Sequence, residues 1–533
     1  MGELSILIGG KAGFGIDKAS FVIADILAGL GYRIYVYRDY PSLIRGGHTF
    51  SIIRASKEKI TCHKNEVDIV LALNQDSVDL HKNNITAKTI VIYDSDIVKA
   101  DAGIGMGIAL SGIIKTESAP EIMRNSGIIG AFAKSLAISW EALDKAFRKN
   151  FLTEIDINLK IVRKGYDAAK EILKVEPSGN AMLPLLTGNE ATSLGLVKGG
   201  LKAYIAYPMT PTSPILHYLA NRAQELGIKV IHPESEIAVM LMACGFAYCG
   251  QKVAVGTSGG GFCLMTEGLS FSAMAELPVV TVLGQRPGPS TGLPTYSSQT
   301  ELHFALNAGQ GEFSRFVVAP GDVEESYYWP QIALNMSWKY RIPSIVLNDK
   351  NLGEGTYSFD IGLSKEVKVE TSTFDFPPVK GKTIKINSYE HDESGVTTED
   401  PIITKKMQDL RLQKEKNLAY ELQRYECVKV HGNKNSSTAI LCWGSNKGVC
   451  VEAAGKLGLK IIQVLTMLPF PKEQFAAAIS GVKKLIAVES NATGQLARLI
   501  KCHGFDVNEN ILKYDGRPFA VDELELILKG YIK

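Results

Sequence analysis

Short, predominantly apolar runs without strict polar–apolar alternation recur along this chain, and helical stretches lie between them. In the first third such runs occupy residues 4–8, 34–37, 50–53, 67–73 and 89–93, rich in β-branched and aromatic side chains. A strand with one wet face alternates polar and apolar residues, whereas a strand apolar throughout is covered on both faces. Residues 17–30 supply one such cover, with Phe21, Ile23, Ile26 and Leu27 at helical spacing and Gly31 just past the end. Strand–helix alternation of this kind predicts an α/β chain built on mostly parallel sheets. No repeat at solenoid spacing competes with that reading.

At 533 residues the chain has room for about two to four domains. Residues 1–175 read as a first α/β unit. Residues 176–186, with Pro177, Ser178, Gly179, Asn180 and Pro184, read as a linker. Residues 187–364 read as a second α/β domain, with strands expected at 203–206, 229–231, 253–256, 279–283, 315–319 and 344–347. Residues 365–435 hold Pro377-Pro378, many charges and a polar helical stretch over 405–424, and read as a charged excursion over the surface. Residues 436–533 read as a third α/β domain, with strands at 438–443, 460–465 and 484–488.

The 58 basic and 56 acidic residues leave a net charge of +2, so nothing favours a nucleic-acid partner. Eight cysteines include no C-x-x-C pair. The chain is therefore not expected to ligate an iron–sulfur cluster itself, and sparse thiols suit the reducing cytoplasm. The N-terminus enters an apolar strand without a basic region, which predicts no signal peptide. The apolar stretch at 128–140 is broken by Lys134 and Ser135, so no membrane span is expected. Glu390, His391, Asp392 and Glu393 are consecutive, not at ligand spacing, and no metal site is assigned.

The second domain carries the chemistry-bearing residues. Pro208, Thr210 and Pro211 shape a turn after one strand, Glu234 and Glu236 precede a helical stretch, and Thr257-Ser258-Gly259-Gly260-Gly261 follows another strand. Open α/β sheets bind ligands beyond the carboxyl ends of their strands, so these features are expected to converge on one crevice. A carboxylate at a helix start is favoured by the macrodipole whatever its task, and prolines shape turns unaided. Arg286, at the end of the next strand, can grip a carboxylate through two parallel hydrogen bonds, and the Thr210 hydroxyl can donate to one. Near the N-terminus, Gly9, Gly10, Gly13 and Gly15 are not spaced as G-x-G-x-x-G. That loop, with Lys11, suits either a phosphate held by helix-start amides or a tight strand-to-helix turn.

The ordered series Tyr207-Pro208-Met209-Thr210-Pro211, Glu236, Thr257 to Phe262, Glu276-Leu277-Pro278 and Gln285 to Thr295 resembles the pyrimidine-binding domain of 2-oxoacid:ferredoxin oxidoreductases, which are thiamine diphosphate enzymes. The loops from Gly9 to Gly15 and from Ser42 to His48 are similar to the gamma domain of that family, and 489–495 and 514–518 to the C-terminal domain of its alpha subunit. The resemblance covers nearly the whole chain and implies a fusion: gamma domain over 1–175, pyrimidine domain over 187–364, transketolase C-terminal-like domain over 436–533. It implies that Glu236 hydrogen-bonds the pyrimidine and drives the proton relay that activates the thiazolium, with Glu234 as the rival. It implies that Thr210 and Arg286 hold the 2-oxoacid, that Pro208, Thr257, Ser258 and Gly259 line the thiamine, and that Gly13, Phe14, Gly15, Arg45 and Gly46 offer a coenzyme A site. Met209 and Gly260 stand where the family has isoleucine and proline, and the second change is expected to loosen its turn. Glu276 suits a structural cap as well as catalysis.

Thiamine enzymes hold the diphosphate through Mg²⁺ behind a Gly-Asp-Gly motif. Pro320-Gly321-Asp322-Val323 is the nearest segment and lacks the second glycine. The resemblance therefore implies a beta subunit that brings the diphosphate–Mg²⁺ domain and at least one [4Fe–4S] cluster, in an (alpha-beta)2 heterotetramer with ferredoxin as acceptor. The implied reaction is oxidative decarboxylation of a 2-oxoacid, either 2-oxoglutarate or several 2-oxoacids, with coenzyme A as co-substrate. Two other readings stay open. One is a non-oxidative thiamine enzyme of the transketolase or decarboxylase class, against which the gamma-like segment stands. The other is an inactive scaffold that binds coenzyme A or a nucleotide, against which Thr210, Glu236 and Arg286 stand.

Overall fold

The strands of the first third are β1 (Glu3–Lys11), β2 (Arg33–Asp39), β3 (His48–Ser56), β4 (Ile69–Ala72), β5 (Ile90–Asp94) and β6 (Ile104–Ile108) in the computed structural model, which describes residues 2–42, 47–101, 103–365, 367–370 and 385–532. Next come β7 (Leu185–Thr187), β8 (Ala203–Ala206), β9 (Lys229–Ile231), β10 (Val253–Ser258), β11 (Val280–Gln285), β12 (Phe316–Val318), β13 (Ser344–Asp349) and β14 (Thr356–Ser358). The last third adds β15 (Val428–Gly432), β16 (Thr438–Cys442), β17 (Lys460–Val464), β18 (Thr466–Leu468), β19 (Lys484–Glu489) and β20 (Glu509–Leu512).

Three sheets result, ordered β6-β5-β4-β1-β3-β2-β14-β7, β18-β12-β13-β11-β10-β8-β9 and β15-β17-β16-β19-β20. The second and third are parallel except for β18 on β12 and β15 on β17. β8, β10, β11 and β13 are buried at every position, as cover on both faces requires. The mostly parallel α/β class expected from the sequence is therefore the one observed, with one local difference. In the first sheet β1, β4, β5 and β6 are parallel, but β3, β2, β14 and β7 join antiparallel. The chain from Asp39 to His48 is too short for a crossover, so β3 can only return beside β2 in the opposite direction.

The sheets also cross the boundaries expected from composition. β7 begins inside the segment expected as a linker, and with β14 it extends the first sheet from the second unit. β18 ties the last unit to the second sheet, and β15, expected in the surface excursion, edges the third. The Pro401–Leu422 helix of that excursion buries Met407, Leu418 and Leu422. No helix among the described residues is long and apolar enough to cross a membrane.

The units are fastened by buried ions that are fully paired. Arg54 on β3 has no exposed surface. Its guanidinium donates to both oxygens of Glu452 at 2.9 Å, to Glu3 at 2.8 Å and to the Cys62 carbonyl at 2.7 Å. A second cluster joins all three units: Lys59 to Glu324 at 2.6 Å, Lys447 to Asp322 at 2.5 Å and to Glu325 at 2.7 Å, and Lys429 to Glu325 at 2.8 Å.

Burial alone raises the Glu452 carboxyl; the hydrogen-bonded Arg54 overrides this and holds it at about 2. A depressed carboxylate adds stability that is complete above its ordinary value of 4.5 and is lost as the pH falls toward 2. Glu452→Ala should destabilise the protein by about 3 kcal/mol, because it leaves a buried guanidinium short of its partner. Calorimetric melting of the variant should also show a shallower loss of stability across that acid range than the unsubstituted chain.

Candidate active site

The second sheet brings the predicted residues to one edge. β8 leads into the turn that holds Pro208 and Thr210, β10 ends at Ser258 where the Gly259–Met274 helix begins, and Arg286 is the first residue past β11. β8, β10 and β11 are parallel neighbours, so their carboxyl ends open to the same side. Glu236 starts the Glu236–Tyr248 helix, which follows β9 at the adjoining edge.

Glu236 is buried, whereas its rival Glu234 is exposed. The Glu236 carboxylate lies against the glycine turn: a Cβ on Gly261 would stand 2.4 Å from Glu236 Oε1 and 2.1 Å from Thr257 Oγ1. Only a glycine fits that gap. No hydrogen bond to the Glu236 carboxylate is found among the described residues. The hydroxyls of Thr257 and Ser258 are fully buried and also lack a partner there. A buried hydroxyl left unpaired is unfavourable by roughly 1–3 kcal/mol, so the Thr257 hydroxyl beside the buried carboxylate would gain from a polar ligand. Gly260, expected to loosen the turn, lies in the first turn of the helix.

Arg286 is 8% exposed and donates from Nη1 to the Thr210 carbonyl at 2.9 Å. No carboxylate among the described residues lies within ion-pair distance of it. Thr210 and Arg286 are thus brought together, with guanidinium donors to spare. Burial lowers the Arg286 pKa, against the field of Glu301. Glu301 is a site residue that no motif singled out. One carboxyl oxygen, Oε1, would lie 2.5 Å from a Cβ on Gly259, and Thr300 Oγ1 donates to the other, Oε2, at 2.8 Å. Burial pushes the Glu301 carboxyl up to about 7, although the Thr300 hydrogen bond and the Arg286 charge both oppose it.

Gly13, Phe14 and Gly15 lie between β1 and the Ile16–Gly29 helix, with Gly13 and Gly15 at φ 91° and 68°. Ala12 N–H donates to the Gly47 carbonyl at 3.3 Å, so the two gamma-like loops meet. Arg124 sits 5.0 Å above the Phe14 ring. Arg45 and Gly46 lie outside the described residues. At the end of β2, Asp39 pairs with Arg517 at 3.5 Å, and Arg517 lies 4.0 Å over Tyr296, in the loop between Arg286 and Glu301.

Other carboxylates are engaged within the chain. Asp322 caps the Val323–Tyr340 helix through Glu325 N–H at 2.9 Å as well as pairing with Lys447. Glu276 pairs with Lys414 at 2.9 Å and Arg341 at 3.7 Å. Glu390 accepts two hydrogen bonds from Arg411. Among the described residues no group of three or more His, Cys, Asp or Glu is arranged to hold a metal.

Residues 195–417 match the family described as pyruvate flavodoxin/ferredoxin oxidoreductase, thiamine diphosphate-binding, and residues 5–168 match pyruvate ferredoxin/flavodoxin oxidoreductase. The chain is similar to the 2-oxoacid:ferredoxin oxidoreductase subunit alpha of Sulfolobus sp, at 30% identity over 100% of this chain and 97% of that one. It is also similar to the 2-oxoglutarate synthase subunit KorA of Methanocaldococcus jannaschii, at 29% identity over 65% of this chain and 99% of the relative. Among solved structures, the 2-oxoglutarate:ferredoxin oxidoreductase of Magnetococcus marinus, with 2-oxoglutarate, coenzyme A and succinyl-CoA bound, superposes with a TM-score of 0.91, 27% identity and 100% coverage of both chains.

The Gly261 contact supplies a direct test of this edge. Gly261→Ala should displace the Glu236 carboxylate and lower turnover of the assembled enzyme by about 10²-fold, since a 1 Å misplacement has that effect, while circular dichroism stays unchanged. Gly260→Ala is the control, because its Cβ would meet only the Ser290 carbonyl at 3.7 Å. It should turn over like the unsubstituted enzyme.

Proposed function

The chain belongs to the family of 2-oxoacid:ferredoxin oxidoreductase alpha subunits, and from that premise we propose that Thr210, Glu236, Thr257, Ser258 and Arg286 form the pyrimidine-side half of a thiamine diphosphate site for coenzyme A-dependent oxidative decarboxylation of a 2-oxoacid. The chain is one subunit of a multi-subunit oxidoreductase. The observation that carries the reading is the buried Glu236 carboxylate beside the buried, unpartnered Thr257 hydroxyl across Gly261.

The residues fit the group. An aminopyrimidine offers one ring nitrogen that gains by facing a carboxyl and a second that accepts from a hydroxyl, and the absence of a side chain at Gly261 lets Glu236 and Thr257 approach each other there. Thiamine diphosphate held here would supply a nucleophilic thiazolium carbon and an electron sink for decarboxylation. Glu236 holds a proton against the pyrimidine ring nitrogen and so biases the ring toward the tautomer whose exocyclic nitrogen can accept a proton. Arg286 binds the 1-carboxylate of the 2-oxoacid with the donors that the Thr210 carbonyl leaves free, and the Thr210 hydroxyl orients the substrate. Pro208 shapes the turn that presents Thr210.

The diphosphate and its Mg²⁺ belong on a beta subunit in this reading, because Asp322 is already committed to Lys447 and to a helix cap. Ile237, Leu241 and Leu264 are each about half exposed, and Ile237 and Leu241 continue the helix that Glu236 begins. An apolar surface bordering the site supports a partner subunit docked there. A [4Fe–4S] cluster on that partner, transfer to ferredoxin and an (alpha-beta)2 assembly complete the proposal. The loops at Gly13, Phe14 and Gly15 are the proposed coenzyme A side, with Arg45 and Gly46. 2-Oxoglutarate is the proposed substrate, as relatives and a solved neighbour are named for it. The match of residues 5–168 speaks against a non-oxidative thiamine enzyme.

Arg286→Lys tests the substrate role. Lysine keeps a charge and loses the planar fork. In the complex assembled with its beta subunit, kcat/KM should fall by roughly 10- to 150-fold, the equivalent of one charge-assisted hydrogen bond. The loss should be alike for pyruvate and 2-oxoglutarate, which share the 1-carboxylate. Steady-state ferredoxin reduction with both acids checks it; equality with the unsubstituted enzyme contradicts the role.

A further inference from the structure

A buried guanidinium without an anion is strongly disfavoured. Arg286 is nearly so placed: one hydrogen bond goes to a neutral carbonyl, and no described carboxylate reaches it within ion-pair distance. Glu301 is its neighbour, with the Thr300 hydroxyl between them, 3.4 Å from the Arg286 carbonyl and 2.8 Å from Glu301 Oε2, yet the Glu301 carboxyl is held elsewhere. Thr300 Oγ1 occupies Oε2 at 2.8 Å, the Glu301 N–H donates to Gln285 Oε1 at 3.1 Å, and Oε1 rests against Gly259. From the third unit, Gln495 clamps the segment, donating to the Thr300 carbonyl at 2.8 Å and accepting from His303 N–H at 3.1 Å. The groups around Glu301 are therefore Gln285 and Arg286 from the end of β11, Gly259 at the start of the helix after β10, Thr300 and His303 from its own segment, and Gln495. Of these, Arg286 is the charged group that acts on it.

We propose that Glu301 is a positioning residue for the 2-oxoacid: uncharged, it leaves the Arg286 charge free for the substrate carboxylate, and ionised, it competes with that carboxylate. The proposal rests on the reading of Arg286 as the substrate's holder. The geometry separates the two states. With Glu301 neutral, the guanidinium has one carbonyl partner and unfilled donors. With Glu301 ionised, two anions face one cation. Because burial moves the Glu301 carboxyl up to about 7, the exchange falls in the neutral range. The sign follows by linkage. Substrate binds the protonated form, so binding draws a proton onto Glu301 at pH above its pKa, and KM rises there by up to roughly tenfold per pH unit. The bound enzyme carries protonated Glu301 in any case, so kcat is not expected to follow.

The test uses the alpha chain assembled with its beta subunit, with 2-oxoglutarate, coenzyme A and ferredoxin, from about pH 6 to 9. The unsubstituted enzyme should show KM for 2-oxoglutarate climbing above neutrality. Glu301→Gln, an uncharged isostere, should flatten that climb and lower KM at the alkaline end by about tenfold or more, with Glu301→Asp restoring the climb. A Glu301→Gln enzyme whose KM still climbs, or one that loses kcat with its KM profile unmoved, overturns the proposal. Arg286→Gln keeps the two readings apart. If it raises KM at every pH while Glu301→Gln leaves the profile intact, the Glu301 role alone falls; if it leaves KM unchanged, the substrate role of Arg286 falls and takes the Glu301 role with it. Should Glu301→Gln fail to assemble, calorimetry of 2-oxoglutarate binding to the unsubstituted complex in two buffers of different ionisation heat decides. Uptake of close to one proton at alkaline pH supports the proposal, and none overturns it.

Discussion

Gln299 is the residue on which the arrangement of the site depends. The segment between β11 and the Leu302–Asn307 helix carries Arg286 at one end and Glu301 at the other, and it forms no strand or helix of its own. It is held because Gln299, fully buried, spends its hydrogen-bonding capacity on the third unit. Its Nε2 donates to the Trp443 carbonyl at 2.8 Å, and its Oε1 accepts from Asn446 at 2.9 Å and from Ser490 N–H at 3.0 Å. Its backbone bonds Ser490 and Asn491 as well. Asn491 is oriented in turn by Glu489, a buried carboxylate that takes the Leu496 and Ala497 amides at the start of the Gln495–Cys502 helix. The third unit thus sets the geometry of a loop that the second unit uses.

Buried ions at the seams between units and buried polar groups at the site are satisfied to different degrees. At the seams between units the buried ions are paired several times over, as with Arg54 and Glu452 or Lys447, Asp322 and Glu325. Such pairs add little net stability over apolar packing, but removing one member is strongly destabilising, so they fix how the units meet. At the carboxyl edge of the second sheet the pattern reverses. The Thr257 and Ser258 hydroxyls and the Glu236 carboxylate have no hydrogen-bond partner among the described residues, and the Arg286 guanidinium has the Thr210 carbonyl. Unmet hydrogen bonding on neighbouring strand ends supports a binding site at this edge.

Much of this was legible in the sequence. The strands expected at 203–206, 253–256 and 279–283 are mostly apolar, and the residues assigned to chemistry sit past them, where a parallel sheet must put its ligand. Of the two carboxylates, Glu236 is the one buried beside Gly261, and Glu234 is exposed. Less legible were β7, β14 and β18, each three residues long, whose pairing across units depends on tertiary contacts and not on local pattern. The same holds for the excursion, whose helix and following strand are tied into the core although its composition is polar. Glu301 carried no signal because a carboxylate after Gln299-Thr300 looks like any loop residue. Its position beside Gly259 and Arg286 exists only once the third unit grips the loop.

The central claim is that Glu236 holds the proton that prepares thiamine diphosphate for attack, and exchange of the thiazolium proton for deuterium measures it most directly. In the complex with its beta subunit, Glu236→Gln keeps the side-chain shape and removes the acid, so exchange should slow by about 10²-fold or more while cofactor stays bound. An exchange rate equal to that of the unsubstituted complex, with cofactor demonstrably bound, would contradict the account.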